Sequence, residues 1–179
     1  MNITNFEFKA RAADIAKLEQ KLLTLHPTFR GEDRQIDTYY NVDKGRLKLR
    51  EGNIENALIY YERQDMLGAK QSDIILYKHQ PDSSLKGILE KLHGIKVIVD
   101  KTRKIYFLEN VKFHFDTVVA LCTFIEIEAI DEQGNIGIEK LKSQCLQYST
   151  FFELADDSYI QHSYSDLLLA ETTNASAKH

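Results

Sequence analysis

Alternation with a period of two, recurring in segment after segment, constrains this chain more than any other feature. In "GRLKLRE" (45–51), Arg46, Lys48 and Arg50 occupy every second position, with Leu47 and Leu49 between them. Successive side chains of a strand point to opposite faces, so an extended chain sets three cations on one face and the leucines on the other. Like charges at adjacent same-face positions repel. A solvated outer face relieves that repulsion by hydration. A face built to hold a strong anion relieves it with a ligand. Other segments decide between the two.

The pattern recurs. "NFEFKAR" (5–11) sets Asn5, Glu7, Lys9 and Arg11 opposite Phe6, Phe8 and Ala10. "FIEIEA" opposes Glu126 and Glu128 to Ile125 and Ile127, "VDKTRK" puts Lys101 and Arg103 on one face, and "FHFD" opposes Asp116 to Phe113 and Phe115. Arg63 ends one strand-like segment and Lys78 lies in the next. Collected, one face carries nine cations (Lys9, Arg11, Arg46, Lys48, Arg50, Arg63, Lys78, Lys101, Arg103) and four carboxylates (Glu7, Asp116, Glu126, Glu128). The opposite faces are strongly apolar and need helices to cover them, which turns the charged face inward. Burying so many cations unpartnered is very costly, so the interior is expected to be wet or to hold an anion. Carboxylates beside cations suit a hard divalent ion that bridges to phosphate oxygens. Arginine forks grip phosphate well. The residues therefore specify a metal–polyphosphate site.

Between these segments the period changes. In "ADIAKLEQKLLTLH", Ile15, Leu18, Leu22 and Leu25 follow the three-four spacing of an amphipathic helix, stopped by Pro27. Ser83 and Ser84 offer caps for a second helix carrying Leu85, Ile88, Leu89 and Leu92, and Ile138, Leu141, Cys145 and Tyr148 mark a third. "ALIYYER" and "DIILYKH" read as strands joined by a polar loop containing Gly68. The expectation is an α+β fold: about eight antiparallel strands closing into a barrel, with flanking amphipathic helices. Residues 1–170 are expected to form a single domain, with 171–179 a frayed tail.

Composition narrows the partners. A formal net charge of −4 on 179 residues gives no global basic field for duplex nucleic acid. Cys122 and Cys145 form no C-x-x-C pair, the opening residues lack an apolar signal core, and no apolar run approaches the length of a membrane span. A cytoplasmic protein is expected, with no membrane partner. No phosphate-loop, dinucleotide or H-E-x-x-H motif is present. Asp37 is expected to pair with an arginine. His114 merits attention for its position two residues before Asp116.

The ordered set "NFEFKAR", "DTYYNVDKGRLKLRE", "YYER", "VDKTRKIYF", "FHFD", "FIEIEA" and "SYSDLL" resembles the CYTH superfamily, the triphosphate tunnel metalloenzymes, and in wording its class IV adenylyl cyclase-like branch. The resemblance implies an eight-stranded tunnel that binds a triphosphate-bearing small molecule, ATP or inorganic triphosphate, with Mg²⁺ or Mn²⁺. It makes Glu7, Asp116, Glu126 and Glu128 metal-facing and the nine cations phosphate-facing, with Lys9, Lys78, Lys101 and Arg103 as the catalytic set. Cyclisation of ATP to cyclic AMP and pyrophosphate is the activity expected. A triphosphatase or a non-catalytic polyphosphate or nucleotide binder is the alternative, and a homodimer is an open assembly. One position departs from the family motif: Asn5 stands where its first glutamate is expected.

Overall fold

In the computed structural model, which describes residues 2–63 and 70–176 (side chains from 4 to 62 and 74 to 173), the alternating segments are strands. They are β1 (Asn2–Arg11), β2 (Thr28–Tyr40), β3 (Arg46–Glu51), β4 (Ala57–Arg63), β5 (Lys70–Lys78), β6 (Ile95–Leu108), β7 (Val111–Val118) and β8 (Cys122–Asp131). Four α-helices are described: α1 (Ile15–Leu23), α2 (Ser83–His93), α3 (Ile138–Phe152) and α4 (Tyr164–Ser176). The loop expected around Gly68 lies outside the described residues.

The strands form one curled antiparallel sheet in the order β1-β5-β4-β3-β2-β6-β7-β8. β1 is hydrogen-bonded to β5 along one edge and to β8 along the other, so the ring of pairings returns to its start. The register keeps charged residues opposite one another: Lys9 faces Glu126, Glu7 faces Glu128, Asp37 faces Arg50, and Arg103 faces Asp116.

The helices identify the outer face. Phe6, Phe8, Phe113, Phe115, Ile125 and Ile127 pack with Leu141, Cys145 and Phe152 of α3, and with Ile15 and Leu18 of α1. Leu47 and Leu49 lie with Leu58 beneath Leu85 and Leu89 of α2, as the sequence pattern required. Each fully buried side chain of this kind stabilises the fold by about 1.5–3 kcal/mol, which fixes the register, because a slip of one residue would turn every charge outward. The odd positions of β1 and their counterparts therefore line the interior.

Local chemistry sets the helix ends. Asp14 caps α1, its Oδ1 accepting from the Lys17 N–H at 3.0 Å. Asp82 caps α2, its carboxylate accepting from Ser84 N–H at 2.7 Å, so the cap is the aspartate before the two serines expected from sequence. α1 ends at Leu23, ahead of Pro27. The Asp131 carboxylate gathers the N–H groups of Gly134, Asn135, Ile136 and Gly137, and so organises the turn into α3. α4 continues through residue 170 to Ser176, and residues 177–179 lie outside those described.

Candidate functional site

One interior wall is built around Asp37 of β2, which is 1% exposed. β3 brings Lys48 to 3.0 Å and the Arg50 Nε to 2.8 Å from its carboxylate, and β6 brings Lys101 to 2.7 Å. Burial alone would push Asp37 up, but Arg50, Lys101 and Lys48 outweigh it and hold the carboxyl well below its usual range. Arg50 reaches on to Glu55 at 2.8 Å, and Lys112 of β7 pairs with that same carboxylate. Lys101 responds in the opposite sense. Burial, reinforced by Arg50, Arg103 and Lys48 and opposed by Asp37, pushes its ammonium down to about 7.

A second group spans β6, β7, β8 and β1. Arg103 grips Asp116 with two bonds, Nε to Oδ1 at 2.6 Å and Nη2 to Oδ2 at 2.5 Å, and lies 3.3 Å from Glu126. Lys9 reaches the other Glu126 oxygen at 2.7 Å. α4 completes the group: the Tyr164 hydroxyl donates to Asp116 at 2.7 Å, and Lys9 Nζ stands 3.9 Å from the centre of its ring. Burial and the Asp116 charge raise the Tyr164 hydroxyl well above its ordinary value, so it stays a donor. Two residues on, Asp166 accepts from Arg46 at 2.9 Å. Helix α4 thus supplies two side chains to a site otherwise made of strands and the loop that carries Glu55.

The third group is acidic. Asn5 Nδ2 donates to Glu128 Oε1 at 2.5 Å and lies 3.4 Å from a Glu7 oxygen. Burial raises the Glu128 carboxyl above its usual value; Glu7 and Glu126 add to this, while Lys112 and the Asn5 bond oppose it. His114 of β7 places Nδ1 3.1 Å from Glu126 Oε1. Burial, with Arg103 and Lys112 nearby, pushes its imidazole down to about 3, so it is neutral at physiological pH. Among the described residues, His114, Glu126 and Glu128 form a group whose candidate ligand atoms lie within 4.8 Å of one another.

An inward-facing ring of strands carrying ion-paired Lys, Arg, Asp and Glu agrees with the family model that matches residues 4–164, the CYTH domain. The chain belongs to the CYTH family. No curated protein matches the sequence. Solved structures share the fold at low identity. The PH1012 protein of Pyrococcus horikoshii OT3 superposes with a TM-score of 0.78 at 22% identity, covering 91% of this chain and 98% of its own. An adenylate cyclase candidate from Vibrio parahaemolyticus gives 0.75 at 15%, covering 92% and 97%. An adenylyl cyclase candidate from Hippeastrum, described as having a dominant triphosphatase activity, gives 0.60 at 13%, covering 97% and 96%.

Within this CYTH chain the residues anticipated from sequence are not all in one place. Lys9, Lys48, Arg50, Lys101, Arg103, Glu7, Asp116, Glu126 and Glu128 converge through the contacts above, and Asp37 pairs with Arg50 as expected. Arg11 is exposed at the rim, where Nη1 meets the Cys122 sulfur at 2.9 Å. Lys78 is also exposed and lines an outer groove with Tyr77, His79, Gln80, Asp82 and Leu85, away from the buried group. The side chain of Arg63 lies outside those described. Part of the compensation that burial of these cations demands comes from the protein itself: Lys9, Lys48, Arg50, Lys101 and Arg103 each hold a carboxylate. Sequence reading missed Asp33, Gln35, Glu55, Lys112, Tyr164 and Asp166. Asp33 and Gln35 share the period of Asp37, and Lys112 that of His114, so extending each alternation by one step finds them. Glu55 lies in a loop, and nothing in its spacing marks it.

Proposed function

We propose that the chain is a divalent-metal-dependent enzyme acting on a nucleoside triphosphate held in its tunnel, with ATP converted to cyclic AMP and pyrophosphate. The observation that carries this reading is the surplus of cations on the β2–β3–β6 wall, where Lys48, Arg50 and Lys101 share the carboxylate of Asp37, and Glu55, which also meets Arg50, is itself shared with Lys112. A triphosphate brings about four negative charges and competes effectively for four cations that two carboxylates only partly neutralise. The acidic wall across from it fits Mg²⁺ or Mn²⁺. Glu128 is held above its usual range by burial and by its acidic neighbours, and the fully buried Asn5 Oδ1 has no hydrogen-bond partner among the described residues. Glu7, Glu126 and Glu128 would hold such an ion, with the Asn5 amide oxygen in place of the motif's glutamate. Asp116 is committed to Arg103 and Tyr164 and serves to aim the arginine.

A bound divalent ion would neutralise charge on phosphate oxygens. The chain's residues do the rest. Lys9, Arg103 and the Asp37 cluster position the phosphates and stabilise charge as it moves onto the leaving pyrophosphate. Cyclisation forms a bond from the ribose 3′-oxygen to the α-phosphorus, breaks the bond from that phosphorus to the bridging oxygen of the β-phosphate, and releases the 3′-hydroxyl proton. That proton leaves to solvent, and Lys101, charged when an anion is bound, stays with the phosphates. Ala57, Ile59, Tyr61, Ile74 and Leu76 cluster on the same interior face and offer an apolar surface to a nucleobase.

A triphosphatase reading draws support from the Hippeastrum fold relative and from the weight of polyphosphate-binding groups relative to ribose-directed ones. Product analysis with ATP and with inorganic triphosphate, each with Mg²⁺ and Mn²⁺, decides. Cyclic AMP from ATP and inertness toward inorganic triphosphate is the expected outcome. ADP with orthophosphate, and no cyclic product, assigns hydrolysis. No turnover of either, with retained triphosphate binding, assigns a non-catalytic binder.

A further inference from the structure

We infer that His114 is a nitrogen ligand of the tunnel's metal site, and that the site is thereby tuned to a first-row transition ion in preference to Mg²⁺. The inference rests on the metal–triphosphate reading above and adds to it a ligand that an all-carboxylate site does not contain.

Three observations converge. His114 is 1% exposed on the interior face of β7, and its Nε2 is a buried polar atom with no hydrogen-bond partner among the described residues. Leaving such a group unsatisfied costs about 1–3 kcal/mol, so an orphaned buried nitrogen calls for an explanation. A ring atom of His114 lies within 4.8 Å of carboxylate oxygens from both Glu126 and Glu128. That is close to the spread of donors around one ion with bonds of about 2.0–2.2 Å. A second orphaned acceptor among the described residues, Asn5 Oδ1, is 0% exposed on β1, which pairs with the other edge of β8, on a side chain whose amide nitrogen is 2.5 Å from Glu128. Two unsatisfied buried lone-pair donors thus flank the β8 glutamates, His114 beside Glu126 and Asn5 beside Glu128.

The donor types then set the preference. Where the family motif has a carboxylate, this chain has the neutral Asn5, which lowers the charge that a hard ion needs. Imidazole is a softer donor that Mg²⁺ takes poorly and that first-row ions take in rising order from Mn²⁺ through Co²⁺ to Ni²⁺. The residues exchange one hard anionic ligand for a borderline one.

Calorimetric titration of the purified chain with Co²⁺, Mn²⁺ and Mg²⁺, in wild type and His114→Gln, tests this. Wild type should bind Co²⁺ at least about tenfold more tightly than Mg²⁺, and His114→Gln should lose about tenfold or more for Co²⁺ while Mg²⁺ shifts by less than about threefold. Should the variant fold poorly, pulsed electron paramagnetic resonance of Mn²⁺ bound to wild-type protein provides an independent reading. A directly coordinated ¹⁴N coupling supports the assignment, whereas a histidine that merely orients Glu126 would give none. Metal binding with oxygen-only coupling, or unchanged Co²⁺ affinity in a folded His114→Gln, overturns His114 as a ligand and leaves the metal–triphosphate reading intact. If no divalent ion binds, with or without inorganic triphosphate, that reading fails and this one with it.

Discussion

Asp37 and Glu128 are both interior-facing carboxylates of one curled sheet, yet they are held in opposite ways. Asp37 meets three cations and is kept well below the usual carboxyl range, whereas Glu128 meets acidic neighbours and an amide and is raised. Burial pushes both upward; the neighbouring charges decide the sign. The difference gives the tunnel two unlike walls: an electropositive one from β2, β3 and β6, and an electronegative one from β1 and β8. A site with two such walls accepts an anion on one side and a cation on the other, which a uniformly basic lumen would do less well.

The largest effect should come from breaking the first wall at its centre. Asp37→Asn leaves Lys48, Arg50 and Lys101 without their shared carboxylate, and should destabilise the fold by about 3–5 kcal/mol in denaturant unfolding. Inorganic triphosphate at 100 times its dissociation constant should restore about 2.7 kcal/mol. A loss below about 1 kcal/mol would mean that these cations are hydrated and the wall is not a desolvated cluster.

A smaller effect distinguishes the walls by pH. Lys101 titrates near 7 in the folded chain, far below an ordinary lysine near 10.5. Between those values the unfolded chain holds the extra proton, so this group adds stability as pH rises through that window. Anion binding favours its charged form. The affinity for inorganic triphosphate should therefore fall from pH 7.5 to 9, by at most about tenfold per unit. Lys101→Met should flatten the slope; an unchanged slope in that variant would assign the dependence elsewhere.

The smallest effect probes the second wall. Glu128 is raised above about 4.5, so its contribution to stability is present below that pH and is lost as pH rises through its folded value. Once ionised, the side chain is a net liability. Glu128→Gln should leave stability unchanged or raise it by up to about 1 kcal/mol, while Mn²⁺ affinity falls about tenfold or more. A clear loss of stability would show that the acidic wall is structural.

Most of this arrangement was legible because strands encode facing directly. "GRLKLRE" and "NFEFKAR" place their cations and their apolar residues on opposite faces without reference to anything distant, and the helices that cover Leu49 and Phe8 confirm the direction. What a strand pattern does not encode is partnership across the ring. The sharing of Asp37 by Lys48, Arg50 and Lys101 depends on three strands brought together only by the fold. Tyr164 and Asp166 arrive from a helix and obey no period-two rule; the resemblance at "SYSDLL" marked their segment but gave neither a role. Lys78 shows the converse error: its parity within β5 was read correctly as far as pairing goes, but at the end of a strand parity does not confer burial.

The pairing of β1 with both β5 and β8 has a consequence for how the molecule comes into being. Glu7 meets Glu128 across that seam, so β1 must wait for β8, synthesised long after it, before its second edge is filled. At about 5–20 residues per second, that wait lasts several seconds. Throughout it Phe6 and Phe8 have neither β8 beside them nor α3 above them. Such long-range closure is slow even after synthesis ends. Nascent chains should therefore be most exposed to chaperone capture and to aggregation in the interval before β8 emerges.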